Sequence, residues 1–289
     1  MSEQALSTKK KSMGAEKFHA FMKNKLAVAG AALLIIMILL AAFSPVIAPY
    51  GFDEQNYEAA RQTPSFSHLA GTDELGRDIF SRILYGGRVS LTIGIISVGI
   101  GVLCGGSLGI LAAYYGGTAE TIIMRLIDIL MAIPSIILSI SICAALGSGI
   151  VNTMIAVGIS SIPTYARVFR SSVISEKSKE YIEAARAVGA GNARIILKHI
   201  IPNSLAPVIV QASLGVAQAI TTAASLSFIG LGIQPPNPEW GALLSGGRQY
   251  IRDFPHMVVY PGIAIMLTVL ALNLIGDGLR DALDPRLKR

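Results

Sequence analysis

Three groups of residues in this 289-residue sequence have types and spacings that could do chemistry. Gly105-Gly106-Ser107-Leu108-Gly109 satisfies G-x-S-x-G, the pattern that carries the nucleophilic serine of many hydrolases. A serine nucleophile needs a base, however, and His19, His68, His199 and His256 all lie outside the six helical spans proposed below, one of which holds Ser107. Neither an H-E-x-x-H metal motif nor a G-x-x-x-x-G-K-[ST] phosphate loop occurs, so the chain lacks the usual nest of backbone amides for ATP. The second group is a set of amides and hydroxyls inside apolar sequence: Asn152, Ser160, Thr164, Gln211, Gln218 and Thr222. Such groups are unfavourable in lipid and must face partners or water. Two readings stay open: a path for a polar solute, or hydrogen bonding between helices.

The third group lies in a hydrophilic segment, residues 171–204. Lys179 to Val188 is a run of good helix formers, and Gly189 stands where a left-handed cap belongs. Asn192 is placed to cap a second short helix running to Ile201, ahead of Pro202. Ala184 and Ala185 give a shallow surface for another protein, and Glu183 offers a charge for a partner's cation.

These groups must be positioned by membrane helices. The chain is 52% hydrophobic and 15% charged, with a mean hydropathy of +0.58. Soluble domains carry nearer a quarter charged residues. Residues 26–52, 89–119, 129–166, 199–238 and 254–276 contain no Asp, Glu, Lys or Arg. Crossing a hydrocarbon layer of about 30 Å takes roughly 20 helical residues. The block 129–166 is nearly twice that, and Gly147-Ser148-Gly149 supplies a turn in its middle. Six helical spans are therefore expected, at 26–48, 89–115, 121–146, 150–170, 205–232 and 258–276, in an all-α polytopic membrane protein. The apolar run 26–43 is too long for an ordinary cleaved leader and reads as an anchor. Cys104 and Cys143, both in apolar sequence, read as small buried hydrophobes. Gly101, Gly105 and Gly109 recur every four residues, a spacing that lets two helix backbones approach closely.

Eighteen of the 24 basic residues fall in residues 1–25, at Arg125, in 167–198 or in the tail 277–289. The positive-inside rule then puts both termini in the cytoplasm, and parity of the spans agrees. The net charge of +6 thus reflects membrane orientation rather than nucleic-acid binding. Residues 49–88 and 233–257 are left as outside segments, either functional loops or solvated connectors. An ion-coupled carrier would want a carboxylate in mid-membrane. Asp128 alone is near enough, and Arg125 three residues earlier can neutralise it.

Glu183-Ala184-Ala185, three residues, Gly189, and Pro202 thirteen positions on resemble the EAA loop of ABC-importer permease subunits. The closing His199-Ile200-Ile201-Pro202 differs from the family's Ile-x-Leu-Pro at two apolar positions. His68 to Arg82, Gly86 to Leu91, Gln234 to Gly241 and Gly276 to Arg286 resemble the C-type permeases of dipeptide, oligopeptide and nickel importers. The last two are worded closer to the peptide members. The resemblance implies a type I importer bundle in a bacterial or archaeal plasma membrane, with residues 89–276 forming a five-helix core behind the first helix. It implies a second homologous permease, two ABC ATPase subunits that bind ATP and Mg, and an extracytoplasmic solute-binding protein. It implies that Glu183, Ala184, Ala185 and Gly189 dock onto the ATPase. No cofactor or metal is expected in this chain, and no catalysis.

Overall fold

The computed structural model describes the backbone of residues 13–283 and side chains from residue 18. Lys9, Lys10, Lys11, Arg286, Lys288 and Arg289, counted above for orientation, lie outside the described residues. Among the described residues the regular elements are helices, and the only strand-like pairing is an isolated bridge between Thr72 and Asp78. In chain order they are α1 (Met13–Lys23), α2 (Lys25–Ala42), α3 (Ser44–Ile47), α4 (Ile79–Ile100), α5 (Gly106–Tyr115), α6 (Gly117–Met131) and α7 (Ser135–Leu146). There follow α8 (Ile150–Lys177), α9 (Glu180–Ala187), α10 (Asn192–Ile195), α11 (Ile201–Phe228), α12 (Trp240–Gly247) and α13 (His256–Leu283).

Two five-residue π turns, Gly101–Gly105 and Ile196–Ile200, join α4 to α5 and α10 to α11. The results are continuous rods, Ile79–Tyr115 and Asn192–Phe228, each of 37 residues. At about 1.5 Å per residue each is roughly 55 Å long, well beyond the hydrocarbon layer, so both stand out of the membrane. With α2 and α13 they are, among the described residues, the four helices long and apolar enough to span; α6 and α7 together make a fifth only if counted as one bent span. The helix α8 has the length, but Asn152, Ser160, Ser161, Thr164 and Arg167 dilute its apolar character.

Several expected boundaries move. The second span begins at Ile79 rather than 89 because Asp78 caps the helix, its Oδ2 accepting from the Ser81 amide at 2.7 Å. The third span, expected over 121–146 with Pro134 interrupting it, bends by 86° at residues 132–134. Pro134 has no amide hydrogen to donate and pushes Ile133 out of the helical region. The tail 1–25 contains α1, which packs against α13, and the outside loop 233–257 contains α12. The segment 171–204 is less a separate loop than expected, because α8 continues to Lys177 and the second short helix is the base of the α10–α11 rod. Asn192 is its first residue and Gly191 its cap. Cys143 is buried, whereas Cys104 is exposed.

Close helix crossing follows from the glycines. A Cβ on Gly105 or Gly109 would collide with the α8 backbone at Ile162 or Ala166, and one on Gly101 with Ser161 and Tyr165. The four-residue repeat therefore seats α5 directly on α8. Beside the start of α4, α12 and the 49–78 segment form a packed cap. Trp240 is buried, its indole N–H donating to Ile83 O at 2.9 Å, and Glu239 accepts from Ser90 Oγ at 3.2 Å. Asp73 lies between buried Arg77 and Arg82, 2.6 Å from Arg77 Nε and 3.7 Å from Arg82 Nε. Asp73→Asn keeps the acceptor for the Leu75 and Arg77 amides but removes the charge facing two buried guanidiniums. Its expected cost is about 2–3 kcal/mol, read as a lowered unfolding temperature of the purified protein.

Candidate functional site

The polar residues within the helices converge. Ser160 and Thr164 are one turn apart on α8; Gln211, Gln218 and Thr222 follow at intervals of seven and four on α11, and so share a face. Between these faces lies a cleft of about 410 Å³. It is lined by Ser160, Ser161 and Thr164 of α8 and by Gln211, Gln218 and Thr222 of α11. Ser135 at the start of α7 and Asn273 of α13 complete its polar wall. Five of the six residues singled out from sequence are thus brought together. Asn152 is not: its Nδ2 donates to Leu146 O and Gly147 O at 2.9 and 3.1 Å, closing the end of α7 at the turn.

The hydroxyls and the amides of the cleft differ in how they are satisfied. Ser160, Ser161 and Thr222 donate to carbonyls three or four residues back on their own helices, at 2.7–2.9 Å. Ser160 also accepts from Ser139 of α7 at 2.9 Å. No such partner is found among the described residues for the side-chain amides of Gln211, Gln218 and Asn273. An unpaired amide is unfavourable in lipid, so these groups suit water or a polar solute. Tyr165 forms one side of the cleft, almost fully buried, its hydroxyl 3.5 Å from Gln211 O. Gly215 makes room for that hydroxyl, since a Cβ there would strike it. Sequence inspection of α8 and α11 missed Asn273; the signal available was a lone amide inside the otherwise apolar 254–276 stretch.

The second feature is α9, beyond the ends of α5, α8 and the α10–α11 rod. Ile182 is fully buried and Ala185 partly so, whereas Glu183, Ala184, Ala187 and Val188 face outward, Val188 being 84% exposed. Gly189 terminates the helix at φ +81°, a conformation that needs glycine; around it there is open space. Glu183 forms no ion pair among the described residues. Within this segment, burial and the adjacent Glu176 carboxylate push the Tyr181 phenol up to about 12, and its hydroxyl donates to Glu176 at 2.6 Å.

Residues 105–289 match the family described as the binding-protein-dependent transport system inner membrane component, and residues 12–64 match the N-terminal transmembrane domain of oligopeptide transport permease C. The chain belongs to the binding-protein-dependent transport permeases. Across 94% of its length it is 49% identical to the dipeptide transport system permease protein of Alkalihalophilus pseudofirmus, covering 90% of that protein. It is 47% identical to a glutathione transport system permease protein of Pectobacterium atrosepticum, over 94% of this chain and 91% of the other. It is 46% identical to a di/tripeptide transport system permease protein of Pseudomonas aeruginosa, over 94% and 92%. In fold it resembles the MetNI methionine ABC transporter in its inward-facing form, with a TM-score of 0.60 over 71% of this chain and 98% of that one, at 18% identity. This permease is therefore a multi-pass inner-membrane protein of an ABC importer.

Two competing chemistries lose their basis in this geometry. Ser107 Oγ donates to Leu103 O at 2.6 Å, an ordinary bond within its own helix, and among the described residues no histidine hydrogen-bonds to it. Asp128 pairs with Arg167 of α8 at 2.7 Å rather than with Arg125, and Glu120 pairs with Arg170 at 2.5 Å, so both carboxylates tie α6 to α8.

Proposed function

We propose that this permease carries dipeptides or tripeptides inward through the cleft between α8, α11 and α13, as half of a heterodimer with a second homologous permease. Two ABC ATPase subunits bind ATP and Mg and press on α9 from the cytoplasm, and an extracytoplasmic binding protein delivers the solute. Both termini are cytoplasmic in this reading. The observation that carries it is the convergence of unpaired amides, together with hydroxyls, on one cleft between helices of a membrane permease. Those groups are neutral donors and acceptors, matched to peptide bonds, while a divalent cation such as nickel would call for carboxylate or imidazole ligands. Peptide-transport names among relatives at 46–49% identity support the same solute class.

Alternating access supplies the mechanism. ATP-driven closure of the ATPases shifts α9, and the helices joined to it tilt between two discrete arrangements. The chain contributes the gate and the polar wall, and the free energy comes from its partners.

The test is uptake by the assembled transporter in vesicles. Gln218→Leu removes a cleft amide and is expected to lower dipeptide uptake about tenfold, leaving assembly with the ATPases intact. Nickel uptake in place of peptide uptake, or full peptide uptake by a Gln211→Leu, Gln218→Leu double variant, would refute the assignment.

A further inference from the structure

We propose that Tyr114 is the residue through which a push on α9 reaches the membrane helices. This rests on the reading of α9 as the surface the ATPases drive. Tyr114 closes the last full turn of α5 and is 5% exposed. Its hydroxyl donates to Asn192 Oδ1 at 2.7 Å, and Asn192 is the first residue of the α10–α11 rod. Its ring carries two cations, Lys177 Nζ and Arg186 Cζ, each 5.8 Å from the centroid. Lys177 ends α8 and Arg186 lies on α9. Lys177 also donates to the free carbonyls that end α5, at 2.6 Å to Tyr114 O and 3.3 Å to Ala113 O. One side chain therefore joins four helix ends: those of α5 and α8, the far part of α9, and the base of the rod.

The near end of α9 is fixed independently. Glu176 of α8 accepts from Lys179 Nζ at 2.5 Å and from the Tyr181 hydroxyl, which in turn accepts from Asn203 Nδ2 of α11 at 3.2 Å. Between the two clamps, Ile182 is buried in the same apolar cluster as Tyr114, Phe169, Ile195 and Ile200. Held at both ends and along its inner face, α9 has no hinge of its own. A displacement of α9 must move the inner ends of α5, α8 and α11 together, and α8 and α11 form two walls of the cleft. Of the hydrogen bonds at the far end, the Tyr114–Asn192 bond is the one that ties the rod to α5, beside the apolar packing of the two. Tyr114 is thus a positioning residue for transport rather than a solute contact.

The test measures solute imported per ATP hydrolysed by the complete transporter in vesicles, a ratio that mere loss of folded protein does not change. Tyr114→Phe keeps the ring and its cations but loses the hydroxyl, and is expected to lower that ratio roughly three- to tenfold while the ATPases still copurify. Asn192 lies on an exposed turn, so its variants carry little folding risk. Asn192→Asp retains the acceptor and should retain the ratio; Asn192→Leu should lower it as Tyr114→Phe does, and the two losses should not add. A wild-type ratio in both Tyr114→Phe and Asn192→Leu, with uptake still abolished by Glu183→Lys, would overturn the role of Tyr114 and leave the α9 reading standing. Normal uptake by Glu183→Lys in the same assay would remove the α9 reading and this proposal with it. Failure of Tyr114→Phe to assemble, together with a wild-type ratio for Asn192→Leu, would also overturn it.

Discussion

Glu183→Lys is expected to abolish solute uptake by the assembled transporter while the chain reaches the membrane at its normal level. Glu183 is exposed on α9 and makes no ion pair among the described residues, so its replacement breaks no internal ion pair. Exposed substitutions of that kind change stability by about 0.5 kcal/mol or less. At a docking surface the same change is severe. It loses an attraction and sets a cation against a partner's cation, together costing about 2–5 kcal/mol. Every 1.4 kcal/mol is tenfold, so affinity for the ATPase falls roughly 30- to 4,000-fold. Copurification of the ATPase with wild-type and Glu183→Lys permease checks the cause, and solute uptake checks the consequence. Ala184→Asp should act in the same direction, since Ala184 also faces outward and a carboxylate does not suit a shallow apolar seat.

Leucine at Gly105 or Gly109 is expected to prevent the permease from folding. The space a side chain would need at either position is taken by main-chain atoms of α8, at Ile162 and Ala166. A flexible side chain can move aside; a helix backbone can do so only by shifting the whole helix. Ordinary overpacking costs about 1–3 kcal/mol, and these substitutions should exceed that range. The expected readout is little or no monodisperse protein extracted from the membrane. Gly99 is the internal control, because it lies in the preceding turn of the same rod with open space where its Cβ would go. Gly99→Leu should therefore accumulate like wild type. Equal yields from Gly99→Leu and Gly109→Leu would show that the rod does not lie against α8 as described.

Much of this arrangement is visible in the residues themselves. The glycine repeat at 101, 105 and 109 announced a close crossing, and the cap at Gly189 follows from its place after a run of helix formers. The polar residues of α8 and α11 were noticeable because an amide in apolar sequence demands a partner. What sequence did not reveal depends on contacts between distant residues. The start of α4 was placed ten residues late because Arg82 and Arg88 look like the water side of a boundary. Arg82 is in fact 2% exposed, beside Asp73 and donating to Phe52 O at 2.8 Å. Likewise Asp128 seemed matched to Arg125 by helical spacing, yet Arg167, 39 residues away, is its partner. The bend at Pro134 was available as a proline, but a proline alone does not distinguish a slight kink from an 86° turn. The α12 helix escaped notice because its eight residues are apolar only as a plug for the outside cap, with Trp240 at the centre.

The central claim is that this permease is a gate worked by other subunits, and reconstitution in vesicles measures it most directly. The same vesicles are loaded with ATP and Mg and supplied with dipeptide and its binding protein, with either the permease pair alone or the pair together with the ATPases. Concentrative dipeptide uptake should appear only with the ATPases present and ATP being hydrolysed, and should vanish again with Glu183→Lys. Concentrative uptake by the permease pair without ATPases would contradict the account.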